Sequence, residues 1–424
     1  MGAAAARLAV ASRQDAVPSA VWFSTAEPAY LEKTNANAIH AALQLPSSTI
    51  ALDFGGAVRS GIGALAAALG AAGSTVLSVA ADIRTGLPTG GDEAAGGDAA
   101  AAFLAGEGEE HELVAEYLGA ASATAEFLDR WRVPGDPQTR QWEERFGETQ
   151  YNPLARQAWD AALRDAGLDG VDLVVVTGVH ARAQRQVAKL VGEATLVDDL
   201  GLSVGNSGTA HAALVLASAL DTATPGQTIA VVSVVDGVDV VVLRVAAGVA
   251  DHRPSPSTAT QIDHGGPVSY AKFLQWRGQL TVQPPNRPAP NRISASAAAR
   301  SEPWKYGFVA SKGDRSGLVH MPPARVSIRA EDTDDAQVEV PMADARGTIV
   351  TFTVDRLVYS VSPPVVFAVI DFDGGGRMPM ELTDVDADDV RIGARVELSF
   401  RRLFTADGIH NYFWKACPIR EEAS

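Results

Sequence analysis

The chain has 424 residues, of which 46% are hydrophobic and 20% charged, and its formal net charge is −16. This length and composition predict a globular protein of two or three domains and exclude a disordered chain. The acidic balance argues against nucleic acid or an anionic membrane as the main partner, because phosphate binding requires a basic face.

Cysteine content and hydropathy exclude further classes. The single cysteine, Cys417, cannot form an intrachain disulfide framework or a cysteine-based zinc site. No uninterrupted apolar run reaches the length of about 18 residues that a membrane helix needs. The start, Met1–Val10, lacks the cationic region and cleavage site of a signal peptide, so we expect a cytoplasmic protein.

Residues 1–250 predict an α/β architecture with covered sheets. An amphipathic helix within Met1–Ala16 is followed by short apolar runs that alternate with Ala/Leu-rich helical stretches. The runs are rich in β-branched residues, as strands buried on both faces are. The predicted strands are Ala20–Ser24, Thr49–Asp53, Thr75–Ala80, Val171–Thr177 and Ile229–Val234. The predicted helices are Gly61–Gly70, Pro153–Ala166 and Ala210–Leu220.

An internal duplication is visible within this region. A strand, a Gly-rich turn and an Ala-rich helix occur at Asp53–Leu69 and again at Val204–Leu220. We interpret the aromatic and charged segment Glu126–Tyr151 as the connection between the two halves and as part of the mouth of the site.

The C-terminal third has a different pattern. Residues 251–303 are rich in Pro and Ser and predict an extended linker with a short helix at Tyr270–Arg277. Residues 304–424 predict a small β-barrel, because strand-like runs are separated by turns that contain Gly. The clearest runs are Gly347–Asp355, Val365–Asp371 and Arg395–Leu403.

Three motifs of the first region lie where predicted strands end. In Asp53–Leu65 a strand turns sharply into a helix, and Val58 lies in that turn. His180 follows a buried strand, and Asn206 lies in the glycine turn Val204–Gly208. Histidine can donate a hydrogen bond or move a proton near neutral pH, and an asparagine amide can donate to an oxyanion.

In this order and in these settings the three motifs resemble the Cys–His–Asn sites of the thiolase superfamily, closest to bacterial and archaeal hydroxymethylglutaryl-CoA synthases. Where that family has its cysteine, this chain has Val58. The resemblance implies a duplicated αβαβα core, truncated at its N-terminus by one strand, because the family's first helix follows a strand. A misassigned start or a truncated form would explain this.

The C-terminal region resembles the OB-fold module of the acyl-CoA-associated DUF35 family. The matching motifs are Val369–Arg377, Val390–Val396 and Asp407–Lys415. In that family a zinc finger precedes the barrel, but the equivalent stretch here, Gly307–Ile328, contains no cysteine. We therefore expect a hairpin without a metal, followed by a small all-β OB-fold barrel.

Together these observations predict four regions. They are a first thiolase-like half with the connection (residues 1–150), a second half (151–250), a linker with a short helix (251–303) and the hairpin with the OB-fold (304–424).

The resemblance implies roles for three further groups. His180 and Asn206 would donate to a thioester oxygen, and Glu27 would be the general acid/base, although it is displaced by one residue from the family's glutamate. The alternatives are a structural histidine, an asparagine in a left-handed turn and a loop carboxylate.

The turn residues around Val58 are the candidate substrate contacts. Arg59, Ser60 and Ser207 would bind the substrate, with no metal and no cofactor other than the CoA thioester itself. Arg59 is equally typical of a surface cation. Ser60 lies two residues after the nucleophile position and is typical of a local helix cap.

Three functional hypotheses remain open on the sequence. The first is an enzyme that makes or breaks a carbon–carbon bond in an acyl-CoA without a covalent intermediate. The second is an ordinary acyltransferase of hydroxymethylglutaryl-CoA synthase type, which requires an activated nucleophile. The third is a non-catalytic acyl-CoA-binding or partner subunit. In each case we expect a homodimer, or a heterodimer with a thiolase-like chain.

Overall fold

The computed structural model describes residues 1–11, 13, 16–71, 73–328 and 336–419. The chain divides into two compact units. Unit 1 comprises Met1–Ile39 and Leu45–Pro267, and unit 2 comprises His40–Gln44 and Val268–Ser424. The division after Pro267 lies inside the predicted linker.

The secondary structure of the described residues alternates in unit 1 and is mostly β in unit 2. The α-helices are α1 (Gly2–Ala11), α2 (Ala36–Ala42), α3 (Ser60–Leu69), α4 (Gly91–Ala95), α5 (Glu144–Ala166), α6 (Ala181–Val187), α7 (His211–Thr222), α8 (Thr258–Asp263), α9 (Tyr270–Trp276), α10 (Ala295–Arg300) and α11 (Glu302–Gly307). The strands are β1 (Ala20–Thr25), β2 (Ile50–Gly55), β3 (Val76–Ile83), β4 (Asp98–Ala105), β5 (Ala115–Ala123), β6 (Arg130–Trp131), β7 (Arg140–Gln141), β8 (Leu173–Gly178), β9 (Thr195–Leu196), β10 (Thr228–Val234), β11 (Val238–Val245), β12 (Val309–Gly313), β13 (Val319–His320), β14 (Gln337–Pro341), β15 (Gly347–Asp355), β16 (Val365–Phe372), β17 (Arg377–Glu381), β18 (Arg395–Ala406) and β19 (Ile409–Pro418).

Two sheets of unit 1 repeat one topology. The first has the order β2-β1-β3-β4, in which β1 is parallel to β2 and β3, and β4 is antiparallel to β3. The second has the order β5-β11-β10-β8-β9, in which β8 is parallel to β9 and β10, and β11 is antiparallel to β10. The run β9-β8-β10-β11 therefore repeats β2-β1-β3-β4, as the internal duplication predicts.

The two sheets differ at one edge. In the second sheet β5 pairs antiparallel with β11, although its residues lie within the predicted first half. Among the described residues no strand occupies the equivalent place beside β4, and a cavity of about 900 Å³ is lined by β4 and parts of α1, β5 and α7. The predicted loss of an N-terminal strand concerns residues before Met1 and stays a prediction.

Helices cover both faces of these sheets. Between the sheets, Ile62 and Leu65 of α3 pack with Val215 and Leu216 of α7 in one apolar core. On the outer face of the second sheet, α5 and α6 pack against β8, β10 and β11. Helix α1 packs against β3 and β4. The layer order αβαβα is therefore confirmed, and it explains why every residue of β10 is buried.

Unit 2 contains antiparallel sheets around an aromatic core. A five-stranded sheet has the order β17-β16-β15-β18-β19, and a smaller one has the order β13-β12-β14. Phe308, Ile370 and Trp414 are fully buried between them. The predicted hairpin within Gly307–Ile328 is the antiparallel pair of β12 and β13, and the predicted linker helix is α9.

The described ranges lack two further features. No helix there combines the length and the apolar character that crossing a bilayer requires. The same residues contain no cluster of His, Cys, Asp and Glu side chains that is arranged to hold a metal ion.

Substitution of two glycines of α3 tests the packing between the sheets. A Cβ on Gly61 would lie 2.7 Å from the carbonyl carbon of Thr209, whereas a Cβ on Gly63 would meet no atom within 4 Å. Gly61→Ala should therefore destabilise the protein by about 1–3 kcal/mol through overpacking. Gly63→Ala should stabilise it by about 0.5–1 kcal/mol through helix propensity.

Urea unfolding of both variants checks this prediction. Equal stabilities of the two variants would show that α3 does not approach Thr209 as closely as described.

Candidate active site

The predicted motifs converge where parallel strands end. The side chain of Asn206 donates from Nδ2 to the carbonyl oxygen of Gly178, the last residue of β8, over 2.7 Å. Helix α3 begins at Ser60, and its Gly61 lies directly against Thr209. The end of β8 therefore contacts the Asn206 turn, and the start of α3, which follows the Val58 turn, contacts Thr209 three residues after Asn206. These neighbouring segments are the candidate site, since the carboxyl ends of strands commonly form one in an α/β sheet.

A buried carboxylate joins these segments. Asp82 of β3 is 2% exposed, and its Oδ1 accepts hydrogen bonds from the Thr25 hydroxyl at 2.7 Å and the Ala26 amide at 2.8 Å. Its Oδ2 accepts from the Thr209 amide at 2.7 Å and the Thr209 hydroxyl at 2.9 Å. Four donors satisfy this charge, so Asp82 fixes the end of β1 to the turn that follows Asn206.

The amide of Asn206 is held in one orientation. Its Oδ1 accepts from the Gly208 amide at 3.0 Å, while its Nδ2 donates to Gly178. Because Nδ2 has two hydrogens, one N–H remains without a partner among the described residues. Asn206 is half-buried and presents a preorganised donor at the end of β8.

His180 has a different environment from the one predicted. It is the N-cap of α6, where its Nδ1 accepts from the Ala183 amide at 3.0 Å. Its Nε2 lies 3.0 Å from the carbonyl oxygen of Glu144, and the residue is 2% exposed. Both ring nitrogens thus have backbone partners. Nε2 carries the ring proton and donates it in the hydrogen bond to the Glu144 carbonyl. The role as a thioester donor stays a prediction that requires the Glu144 bond to open.

Behind His180 lies a buried carboxyl group that sequence reasoning missed. Asp129 is 1% exposed, and neither of its carboxyl oxygens has a hydrogen-bond partner among the described residues. Its Oδ1 is 3.9 Å from Nε2 of His180, and burial raises the pKa of Asp129. The residue lies in the aromatic segment that the sequence placed at the mouth of the site, and that segment was the available signal.

The predicted substrate contact Arg59 is used inside the protein. Its guanidinium donates to both carboxylate oxygens of Asp239, at 2.7 and 3.1 Å, and also to the Asp236 carbonyl and the Thr124 hydroxyl. The hydrogen bonds that Arg59 donates to Asp239 raise the pKa of Arg59. In this conformation Arg59 ties the start of α3 to the β10–β11 turn, so its contact with a substrate has no geometric support.

The two predicted serine contacts are also engaged or buried. Ser60 donates from Oγ to the Gly55 carbonyl at 3.2 Å, a local bond to the end of β2, and it does not form the helix cap that was the alternative for it, because no side chain of the described residues caps the start of α3. Ser207 is 0% exposed, and its Oγ lies 3.4 Å from Nδ1 of His211. Ser207 therefore offers no surface to a ligand in this conformation, and its substrate contact stays a prediction.

Glu27 lies at the same edge of the sheet, two residues beyond β1. Its carboxylate forms an ion pair with Arg132 and accepts from the Thr85 hydroxyl at 3.2 Å. The side chain is 25% exposed and is therefore accessible at this edge. This position is compatible with the predicted acid/base role, provided that the Arg132 pair leaves one oxygen lone pair for a substrate proton.

Val58 lies in the turn after β2, two residues before α3. It is half-buried, and its carbonyl oxygen accepts from the Gly61 amide at 3.2 Å. A side chain here projects next to the N-terminal end of a ten-residue helix, where a thiolate would be stabilised. Valine retains the position but supplies no nucleophile.

Comparison with known proteins relates both units to characterised families. A hydroxymethylglutaryl-CoA synthase of Pyrococcus furiosus is 30% identical over 223 residues, which are 50% of this chain and 63% of that protein. The chain thus spans less than two thirds of this relative. A structure of MvaS in complex with 3-hydroxy-3-methylglutaryl coenzyme A has a TM-score of 0.54 at 20% identity, covering 68% of this chain and 82% of that one. At this identity the likeness shows the fold.

The C-terminal region has its own relatives. The family model described as the C-terminal OB-fold domain of ChsH2 matches residues 339–401. A DUF35 domain-containing scaffold protein of Methanocaldococcus jannaschii is 25% identical over 120 residues, which are 27% of this chain and 84% of that protein. The chain therefore combines a thiolase-like unit that resembles hydroxymethylglutaryl-CoA synthases with a C-terminal OB-fold domain of the DUF35 type.

Proposed function

We propose that unit 1 binds a CoA thioester and makes or breaks a carbon–carbon bond in its acyl group without forming a covalent acyl-enzyme. Two observations carry this proposal: an inert valine, Val58, stands at the position of the nucleophile in the resemblance, and backbone bonds hold the Asn206 amide as a preorganised donor. The scaffold resembles that of acyl-CoA condensing proteins, while the residue required for covalent catalysis is replaced.

Chemistry through an enolate requires only two functions from the protein. One is a donor that stabilises negative charge on the thioester oxygen, and the other is a group that exchanges a proton: it accepts the hydroxyl proton in a retro-aldol cleavage and donates a proton to the enolate after a decarboxylation. The free N–H of Asn206 supplies the first function, and it is fixed by bonds to Gly178 and Gly208. Retro-aldol cleavage and decarboxylation both pass through such an enolate.

Glu27 is the proposed proton acceptor. Its partners, Arg132 and Thr85, hold the carboxylate at the edge of the sheet where the other motifs converge. His180 then has a positioning role: it caps α6, and it fixes the loop between β8 and α6 through the Ala183 amide. Its two backbone bonds make Asn206 the principal donor.

A nucleophile at any position other than that of Val58 has little support. Ser60 is bonded to the Gly55 carbonyl and has no base within hydrogen-bond distance among the described residues. The one cysteine of the chain, Cys417, belongs to unit 2 and lies at the end of β19.

The second candidate function is a non-catalytic subunit that binds an acyl-CoA or a thiolase-like partner. It is favoured by the internal engagement of Arg59, Ser207 and both nitrogens of His180. The relatives of the C-terminal region include proteins described as scaffolds, which agrees with a partner role.

The edge of the first sheet is the proposed contact with a second thiolase-like chain. Strand β2 ends the sheet, and its Ile50 and Leu52 are 57% and 49% exposed. An exposed apolar edge strand is a template for pairing with another chain.

We expect Leu52→Lys to convert a dimer into a monomer. Light scattering that gives only a 44 kDa species for the unmodified chain would contradict this interface.

Substitution of Asn206 tests the proposed chemistry. Loss of one oxyanion donor typically costs about 10²–10³ in turnover. Asn206→Ala should therefore lower turnover of an acyl-CoA by roughly this factor with little change in CoA affinity, because the bond strengthens as charge develops. Ser60→Ala is the matched control and should be nearly silent.

A steady-state assay with a panel of acyl-CoAs measures both variants. Unchanged turnover in Asn206→Ala together with loss of turnover in Ser60→Ala would contradict the non-covalent mechanism. Binding of acyl-CoA without turnover of any of them would favour the non-catalytic subunit.

A further inference from the structure

An arginine that no carboxylate contacts among the described residues lies beside the Asn206 turn, although the charges of Asp82 and Glu27 act on it from a greater distance. Arg84 directly follows β3, and its backbone amide donates to Asp98 at 3.1 Å. Among the described residues its guanidinium has no hydrogen-bond acceptor and no carboxylate within ion-pair distance. The side chain is half-buried, and burial lowers the pKa of Arg84.

Two glycines make room for this side chain. A Cβ on Gly208 would lie 3.0 Å from Cδ of Arg84, and a Cβ on Gly96 would lie 3.1 Å from its Cβ. Gly96 also forms an isolated β-bridge with Asn206. The stem of Arg84 is therefore enclosed by backbone on both sides, next to the residue that presents the free amide donor.

The carboxylates near Arg84 are already occupied. Asp82 accepts four hydrogen bonds, and Glu27 pairs with Arg132. Two further arginines, Arg130 and Arg132, lie near Arg84, and Arg130 pairs with Asp92. Within the described residues, Arg84 is therefore the one of these three neighbouring arginines that no carboxylate contacts.

A half-buried guanidinium without a partner is costly, because it has lost water without gaining an anion. Its planar fork of donors matches a carboxylate in a bidentate geometry. We propose that Arg84 binds a carboxylate on the acyl group of the CoA thioester. This inference rests on the proposed function of the same site.

The position of Arg84 favours the acyl group over the CoA phosphates. Its stem contacts Gly208, two residues from the Asn206 amide that would hold the thioester oxygen. A carboxylate a few bonds from the thioester carbonyl lies within the reach of this side chain. The phosphates of CoA lie at the far end of the pantetheine arm. The substrate class is therefore a short CoA thioester with an acidic acyl group.

Calorimetric titration of the full chain with succinyl-CoA, butyryl-CoA and free CoA tests the proposal. The two acyl groups have the same number of carbons and differ in the terminal carboxylate. A charge-assisted pair should make succinyl-CoA bind at least about tenfold more tightly than butyryl-CoA. Arg84→Met should abolish this preference and leave butyryl-CoA affinity unchanged, and Arg84→Lys should restore only part of it.

Arg130→Met is the matched control, because it removes a paired cation of the same cluster, and it should keep the preference. The melting temperature of ligand-free Arg84→Met should equal or exceed that of the unmodified chain, since an unpartnered charge is removed. Equal affinity of the unmodified chain for succinyl-CoA and butyryl-CoA would overturn the inference and leave the proposed function standing. An equal loss of free CoA binding in Arg84→Met would also overturn it, because Arg84 would then bind a phosphate.

Failure of all CoA compounds to bind would contradict the proposed function. In that case the effect of millimolar succinate on the melting temperature tests Arg84 separately. Thermal stabilisation by succinate in the unmodified chain but not in Arg84→Met would support a carboxylate site, whereas equal melting of both proteins would overturn it.

Discussion

The site depends on the hydrogen bonds that surround Asp82. A buried carboxylate is tolerable only when its charge is satisfied, and here four donors from Thr25, Ala26 and Thr209 satisfy it. These bonds hold the end of the first sheet against the turn that follows Asn206 in the second half of unit 1. Asp82 therefore supports the turn in which Asn206 lies, while bonds to Gly178 and Gly208 orient the Asn206 amide itself.

The remaining polar groups around the site divide into two kinds. Arg59, Ser207 and His180 use their donors and acceptors within the protein and hold turns in place. Asn206 and Arg84 retain unused donors among the described residues. The proposed contacts with the CoA thioester therefore fall on Asn206 and Arg84, because their unused donors can bond a ligand.

Local patterns in the sequence predicted the architecture well. Runs of β-branched residues located β1, β3, β8 and β10 within a few residues, because buried parallel strands are recognisable by composition. The run Thr49–Asp53 located β2 as well, but its expected burial on both faces is wrong, because β2 is an edge strand and is largely exposed. Helix α5 begins earlier than predicted, at Glu144. The helical periodicity was recognised only from Pro153, but the buried Tyr151 extends the apolar face upstream.

The environment of each site residue was less predictable. Arg59 is 180 positions from its partner Asp239, and no local pattern reports such a pair. The burial of Asp129 likewise depends on how α5 packs against the loop after β8. Motif order identified Asn206 and His180, yet only the three-dimensional contacts distinguish a free donor from one that is already engaged.

The absence of a covalent acyl-enzyme is the central claim, and intact-mass spectrometry after incubation with acetoacetyl-CoA tests it most directly. The unmodified chain should keep its mass. Val58→Cys should gain an acetoacetyl adduct, because the N-terminal end of α3 that would activate a thiol is in place. A stable adduct on Ser60 of the unmodified chain would contradict the account.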